Sequence, residues 1–328
     1  MQVSIDEIRS GHKPAIARAI TLVENERRQI WPLLKELFAT SELASLVGVT
    51  GPPGCGKSTL VEKLVAGWLE EGERIGVIAI DPSSEFSGGA LLGDRIRMDG
   101  ISSEPEVFIR SMATRGYLGG LNPAIFDTVL ILSAAGYDRI VIETVGVGQN
   151  EIDIVNLADT TLVVTMPEVG DEIQAFKAGL MEAGDIFVLN KADHPRVNRM
   201  ELVLQQMLEL NSSGEEQDFP RLLKTIATRG EGVDEVLEAV GDHRLKLEKS
   251  GDIARHRKQV MRRHILHLLE EKVREQLIDP LLQSEDFKQI LDQVVERKAD
   301  PYSTAEDLLA RLKSADQQRE EVNLSHEN

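Results

Sequence analysis

One short segment combines the residue types that bind a nucleoside triphosphate. Residues 51–58 read GPPGCGKS and satisfy the pattern G-x-x-x-x-G-K-[ST], with strand formers before them and an amphipathic helical pattern after them. Glycines let successive backbone N–H groups face phosphate oxygens, and the start of the following helix adds positive partial charge. Lys57 would contact the β- and γ-phosphates, and Ser58 would coordinate Mg²⁺. The residues predicted to bind nucleotide here are Gly51, Pro52, Gly54, Cys55, Gly56, Lys57, Ser58 and Thr59.

A second motif indicates which base the nucleotide carries. Residues 190–193 read NKAD and follow the apolar run 186–189, which has the character of a late strand. The carboxylate of Asp193 can accept hydrogen bonds from N1–H and the N2 amine of guanine, whereas adenine presents no such pair of donors. Asn190, Lys191 and Asp193 are therefore predicted to read guanine. Ala227 and Thr228 close the next strand-like run, where a backbone N–H would support the guanine oxygen.

Acidic residues at other strand ends suit a magnesium site. Residues 143–146 read ETVG and resemble the D-x-x-G switch box of GTPases with glutamate in place of aspartate. Glu143 would hold Mg²⁺ through a water, and the Gly146 N–H would sense the γ-phosphate. Asp81 ends another apolar run and Asp94 lies in a glycine-rich stretch, where each suits a hard cation better than the role of a surface acid. The predicted metal ligands are Ser58, Asp81, Asp94 and Glu143.

These motifs need a scaffold, and the hydrophobic pattern predicts a parallel sheet wrapped by helices. Apolar residues recur at helical spacing over 1–44, and from residue 45 short apolar runs alternate with helical patterns. The sequence thus predicts an α/β fold with a helical region at 1–44, a nucleotide-binding domain at 45–241 and a helical arm at 242–328 with a frayed tail. An apolar stripe that begins at Val260 would pack either on the chain's own core or on a second subunit.

Composition narrows the classes of partner and compartment. The 328 residues include 37 basic and 55 acidic side chains, a net charge of −18, which disfavours broad nucleic-acid or anionic-membrane surfaces. Cys55 is the single cysteine, so neither an intramolecular disulfide nor a cysteine zinc cluster can form. The first residues lack an apolar signal core, and no apolar run is long enough for a membrane span. We expect a cytoplasmic protein.

Taken together, these segments resemble the MeaB/ArgK family of GTPases, the chaperones of adenosylcobalamin-dependent acyl-CoA mutases such as methylmalonyl-CoA mutase. The resemblance covers nearly the whole chain. It rests on ARAITLVEN, GPPGCGKSTL, IAIDPSS, GGALLGDRIRM, FIRSMATRG with LGG, VIETVGVGQ, MPEVGDEIQAFKAG and LNKAD, in that order.

The resemblance implies a P-loop G domain with an N-terminal helical cap and a C-terminal arm that makes a homodimer. It also implies a Mg²⁺-dependent GTPase that binds GTP and GDP and gates delivery of adenosylcobalamin to the mutase by a cobalamin adenosyltransferase. Such a chaperone also assists the removal of damaged cofactor. The residues implied in catalysis are Lys57, Glu143, Asp94 and Lys177, the last within an additional switch at 166–177.

Two segments depart from the family pattern. Many members have a PSSG-type sequence where this chain has SMATRG at 111–116, and Glu168 replaces a glycine that is common in the additional switch. The client mutase could therefore be a relative of methylmalonyl-CoA mutase that acts on a branched or hydroxylated acyl-CoA.

The switch residues also predict slow intrinsic hydrolysis. Val147 follows Gly146, where Ras-like proteins place a water-orienting glutamine, and Gln149 comes two residues later. A docked partner could complete the site through Lys177 or Arg115.

Three alternatives remain open from the sequence. A nickel-delivery GTPase of the same class would be expected to carry a Cys/His cluster, whereas seven histidines are scattered here. A kinase that acts on a transport protein is an old label for the family. A scaffold with a decayed nucleotide site is disfavoured by the intact motif residues.

Overall fold

The computed structural model describes residues 3–25, 27–81, 99–113, 123–144, 156–167, 184–211 and 220–312. Seven strands lie in these ranges: β1 Ser45–Thr50, β2 Ile75–Asp81, β3 Val107–Ala113, β4 Arg139–Thr144, β5 Thr160–Thr165, β6 Ile186–Leu189 and β7 Arg221–Lys224. The α-helices up to the third strand are α1 Ile5–Arg9, α2 Lys13–Asn25, α3 Arg27–Thr40, α4 Lys57–Glu70 and α5 Asp99–Ser102. Those that follow are α6 Pro123–Ala134, α7 Val197–Asn211, α8 Val233–Ser250, α9 Asp252–Val273, α10 Asp279–Leu282 and α11 Glu285–Val295.

The seven strands form one sheet in the order β3-β2-β4-β1-β5-β6-β7, and every pair is parallel. Strand β1 lies at the centre, where Gly48 is in register with Ile142 of β4 and with Thr161 of β5. The carboxyl ends of β1, β4 and β5 consequently meet at one edge of the sheet. This architecture confirms the predicted α/β class.

The central strands are mostly apolar and are buried along their whole length because helices cover both faces of the sheet. All residues of β1, β4, β5 and β6 are buried. One face packs against α1, α2, α3 and α6, with Ile16, Ile20 and Leu130 in the core. The other face packs against α4 and α8, with Trp68 and Val236 in the core. Both cores therefore hold the strand ends rigidly.

The chain divides into two compact units, residues 1–261 and 262–328. The N-terminal helices share a core with the sheet, and α8 packs against β5, β6 and β7, so the expected boundary at 241/242 falls inside a helix of the first unit. Val260 is buried in the first unit's core, with Met261 packed beside it. The start of the apolar stripe thus packs on the chain's own core.

The second unit is helical in its described part. It contains the rest of α9, a π-helical turn at Arg274–Ile278, α10, α11 and a helical stretch at 301–312. Pro280 is the second residue of α10, which follows the π-helical turn without a break. Among the described helices of the chain, none is both long and apolar enough to cross a membrane.

Candidate nucleotide-binding site

The loop between β1 and α4 has a backbone that requires glycine at two positions. Gly51 has φ 142° and Gly56, the residue before α4, has φ 93°. A Cβ atom on Gly51 would lie 1.9 Å from the Val164 carbonyl oxygen, and one on Gly56 would lie 2.4 Å from Asn190 Nδ2. The neighbouring strand ends therefore press directly on this loop, and a side chain at either glycine has no room.

Lys57 and Ser58 open α4 and point to different partners. The Lys57 ammonium is buried and donates to the carbonyl oxygens of Gly51 at 2.7 Å and Pro52 at 3.0 Å. Ser58 Oγ donates to Glu143 Oε1 at 2.6 Å, which joins the start of α4 to the end of β4. The structure thus brings together a cation, a hydroxyl and a carboxylate at the helix N-terminus, where anions are stabilised.

The Ser58 and Glu143 oxygens fit a magnesium ion. Mg²⁺ prefers oxygen ligands and is usually held by one or two protein groups together with substrate phosphates and waters. No group of three or more His, Cys, Asp or Glu side chains that could bind a metal occurs in the described ranges. Any further ligands of a magnesium ion held by Ser58 and Glu143 would come from the nucleotide, from water or from residues outside that set.

Some of the other residues predicted on the phosphate side lie in the described ranges, and others do not. Thr59 lies in the first turn of α4, and Asp81 is the last residue of β2, which pairs with β4 so that Ala79 is in register with Glu143. Asp81 thus ends at the same sheet edge as Glu143. Asp94, Gly146 and Lys177 lie outside the described residues, as do Arg115, Val147, Gln149 and Glu168.

Asn190 joins three loops of the site. Its Nδ2 donates to the Cys55 carbonyl oxygen at 2.8 Å, while its Oδ1 accepts from Thr225 Oγ1 at 3.0 Å and from the Ala227 N–H at 3.1 Å. These contacts join the phosphate loop, which contains Cys55, to the loop after β7, which contains Thr225 and Ala227. Asn190 therefore braces the two loops against each other. Sequence reasoning missed this role because the partners are far apart in the chain.

Asp193 lies in the loop that follows β6, on the side that faces solvent. Lys191 has a positive φ of 57°, its ammonium lies 3.3 Å from Met166 Sδ, and the Ala192 N–H donates to the Thr225 carbonyl oxygen at 3.0 Å. The side chain of Asp193 is 47% exposed and lies 3.5 Å from Arg229 Nη2. A base could therefore reach this carboxylate. Arg229 did not emerge from the sequence, since no motif marks it.

Cys55 is buried within the phosphate loop. Burial raises the pKa of its thiol, and this outweighs the nearby Lys57 ammonium and the Lys57 N–H, which both lower that pKa. The thiolate is the reactive form of cysteine, so this side chain is an inert, space-filling member of the loop.

The parallel sheet, the phosphate loop and the base motif define the class of P-loop GTPases. The chain belongs to the family described as methylmalonyl-CoA mutase-associated GTPase MeaB, whose family model matches residues 16–281. A relative from Pyrococcus horikoshii that is named as a GTPase is 44% identical over 310 residues, which cover 94% of this chain and 97% of the relative. GTPase ArgK of Escherichia coli is 34% identical over 291 residues, 87% of each chain.

The same architecture occurs in a solved structure. The crystal structure of an LAO/AO transport system kinase aligns with a TM-score of 0.66 and 27% identity, covering 95% of this chain and 96% of that one. Family membership and the GTPase names of the relatives identify this protein as a GTP hydrolase.

Proposed function

We propose that this GTPase is a Mg²⁺-dependent chaperone of an adenosylcobalamin-dependent acyl-CoA mutase, methylmalonyl-CoA mutase or a close relative. GTP would gate the loading of adenosylcobalamin from a cobalamin adenosyltransferase and the protection or reactivation of the mutase. The family description supports the choice of partner. The single structural observation that carries the GTP-dependent part is the contact between Ser58 Oγ and Glu143 Oε1 at 2.6 Å beside the Lys57 ammonium.

The described residues suggest how the chain would handle the triphosphate. Lys57 would exchange its two loop carbonyls for β- and γ-phosphate oxygens, because a phosphate competes better than a carbonyl for a buried ammonium. Ser58 and Glu143 would hold Mg²⁺, which neutralises charge that develops on the phosphates. Asp81 and Asp94 remain proposed as further ligands.

We assign the recognition of guanine to the loops that Asn190 joins. Asp193 would accept hydrogen bonds from N1–H and N2 of guanine, and Lys191 would lie beside the base. Because the Ala227 N–H already donates to Asn190, a guanine oxygen at this loop would meet the Thr228 N–H instead. The phosphate and base sites would then respond to each other through Asn190.

Hydrolysis is proposed to be slow until a partner docks. The segment 166–177 would act as the additional switch, with Lys177 or Arg115 approaching the nucleotide once the mutase binds. The protein is also proposed to be a homodimer through its C-terminal arm.

The test is the GTP hydrolysis rate of the purified protein with Mg²⁺, alone and during titration with each cobalamin-dependent acyl-CoA mutase of the source organism. We expect a slow basal rate and a saturable rise with one mutase, which would identify the client. A slow rate that no mutase changes would contradict the chaperone role while leaving the GTPase class intact.

A variant pair tests the switch lysine. We expect Lys177→Ala to keep the basal rate and to lose most of the mutase-stimulated rate. Lys224→Ala is the control, since Lys224 pairs with Glu201 at 2.9 Å on the surface, and it should leave both rates unchanged. An unchanged stimulated rate in Lys177→Ala would show that the role assigned to Lys177 is wrong.

One comparison favours a second candidate, because a solved structure with this fold is that of a protein named as a transport system kinase. A kinase would transfer the γ-phosphate to a protein hydroxyl rather than to water. Labelled phosphate that appears on a transport protein, without release of inorganic phosphate, would support that alternative.

A further inference from the structure

We propose that Arg229 is a positioning residue that orients the carboxylate of Asp193 and thereby sets the preference for guanine over hypoxanthine. The inference rests on the proposed function, in which Asp193 accepts hydrogen bonds from the guanine edge. It concerns a residue outside all the sequence motifs.

The guanidinium of Arg229 is placed between two carboxylates. Its Nη2 lies 3.5 Å from Asp193 Oδ2, and its Nη1 lies 3.7 Å from Glu231 Oε1. A planar fork held from two sides has fewer rotamers available than a lone surface arginine. Arg229 is therefore an ionic neighbour of Asp193 whose side chain is 59% exposed.

The backbone that carries Arg229 is held in place. Arg229 closes the 3-10 turn Ala227–Arg229, where its N–H donates to the Ile226 carbonyl oxygen at 2.8 Å. The Ile226 N–H in turn donates to the Glu231 carbonyl oxygen at 2.9 Å. This turn is further braced through the Ala227 N–H by Asn190.

The backbone of Asp193 is tied to the same frame. The Ala192 N–H donates to the carbonyl oxygen of Thr225, whose hydroxyl donates to Asn190. The loops of Asp193 and Arg229 thus share Thr225 and Asn190 as anchors. The separation of the two backbone segments is therefore set by the fold, which keeps the two side chains within reach of each other.

The geometry of a carboxylate explains what this contact would do. Two oxygens offer about four acceptor positions, and guanine uses one position on each oxygen, so Oδ2 can still accept from Arg229. The terminal torsion of aspartate has a broad energy profile, and a lateral partner restricts it. Arg229 would hold both oxygens toward the edge of the base.

Loss of this restraint should affect the two bases differently. A rotated carboxylate can keep one hydrogen bond, to N1–H, but it loses the alignment needed for a second one to the N2 amine. Hypoxanthine has no N2 amine and needs only the first bond. Stacking or charge attraction by Arg229 would instead change both affinities by the same factor, so the ratio of affinities isolates the positioning effect.

The experiment measures dissociation constants of GDP and IDP for the full chain and for Arg229→Ala. We expect the GDP preference to fall by about fivefold, the upper range for an exposed ion pair, with the IDP affinity changed by less than about twofold. The matched control is Arg221→Ala, because Arg221 is an exposed arginine that pairs with Asp242 at 2.9 Å. That control should keep the wild-type ratio.

A second variant separates this proposal from the function on which it rests. Asp193→Asn should abolish the GDP preference and favour XDP, because an amide can donate to the xanthine O2. If Asp193→Asn behaves so but Arg229→Ala keeps the wild-type ratio, or weakens GDP and IDP equally, Arg229 does not position the carboxylate. If Asp193→Asn leaves the GDP preference intact, the base assignment itself is wrong.

Discussion

At the scale of single residues, the backbone conformation of the phosphate loop depends on glycines, which carry no Cβ atom. Gly51 and Gly54 both have positive φ, 142° and 76°, but they differ in their surroundings. A Cβ on Gly51 would lie 1.9 Å from the Val164 carbonyl oxygen, whereas a Cβ on Gly54 would meet no atom within 4 Å. A side chain at Gly54 would therefore meet only backbone strain, whereas one at Gly51 would also collide with β5.

Alanine at these glycines should have very different effects. We expect Gly54→Ala to destabilise the protein by about 1–2 kcal/mol, the cost of a left-handed residue that carries a Cβ. Gly51→Ala should cost more than about 3 kcal/mol and abolish GDP binding, because β5 or the loop must move. Urea denaturation and GDP titration measure both effects. Equal losses in the two variants would mean that the approach of Val164 does not constrain the loop.

Motif residues and their supports differ in how far the sequence predicts them. Lys57, Ser58 and Glu143 follow from patterns at strand ends, and the structure joins Ser58 to Glu143. Asn190 was expected to read the base, and its side chain in the structure also braces three loops. The pairing of Asp193 with Arg229 depends on how two loops approach each other. Such distances are tertiary, and no local pattern encodes them.

At the scale of elements, the apolar runs predicted the parallel sheet because buried strands lack polar alternation. The strand order did not follow from those runs, since β2 pairs with β4 although β3 lies between them in the chain. The domain boundary expected at 241/242 lies inside α8, because a helical pattern does not reveal which surface a helix covers. Periodicity identifies elements, while packing decides how they are grouped.

Besides the packing of Val260, an arginine ties helix α9 to the sheet. Arg257 Nη2 lies 3.0 Å from Asp159 Oδ2, and the guanidinium also donates to the carbonyl oxygens of Leu43 and Ala44. Asp159 is buried and accepts from the Leu46 N–H at 3.0 Å, at the start of the central strands. The end of the sheet opposite the phosphate loop is thus tied to α9.

Removal of Arg257 should lower the stability of the whole first unit. We expect Arg257→Ala to lower the free energy of unfolding by about 1–3 kcal/mol, because a buried carboxylate loses its charged partner while Arg257 itself is part-exposed. Arg255→Ala is the control, since Arg255 is 73% exposed and pairs within its own helix turn, with Asp252. It should change stability by less than about 0.5 kcal/mol. Similar values for both variants in urea denaturation would contradict the anchoring role.

At the scale of the whole molecule, a net charge of −18 repels an anionic nucleotide. Binding therefore depends on short-range groups, among them the Lys57 ammonium and the N-terminus of α4, which screening by salt affects less than surface charges. The described nucleotide-site residues and both large hydrophobic cores lie within residues 1–261. We therefore expect the first unit to carry nucleotide recognition by itself.

Two truncations test that division. A chain ending at Met261 keeps Arg257 and Val260, one turn apart on α9, whereas a chain ending at Gly251 loses both. We expect the 1–261 chain to unfold cooperatively and to bind GDP within about twofold of the full chain, and we expect it to be monomeric if the arm forms the proposed homodimer. The 1–251 chain should be less stable by at least about 2 kcal/mol, since it loses a buried valine and an anchoring ion pair. Urea denaturation, GDP titration and light scattering check these outcomes, and a 1–261 chain that folds but cannot bind GDP would show that the site depends on the second unit.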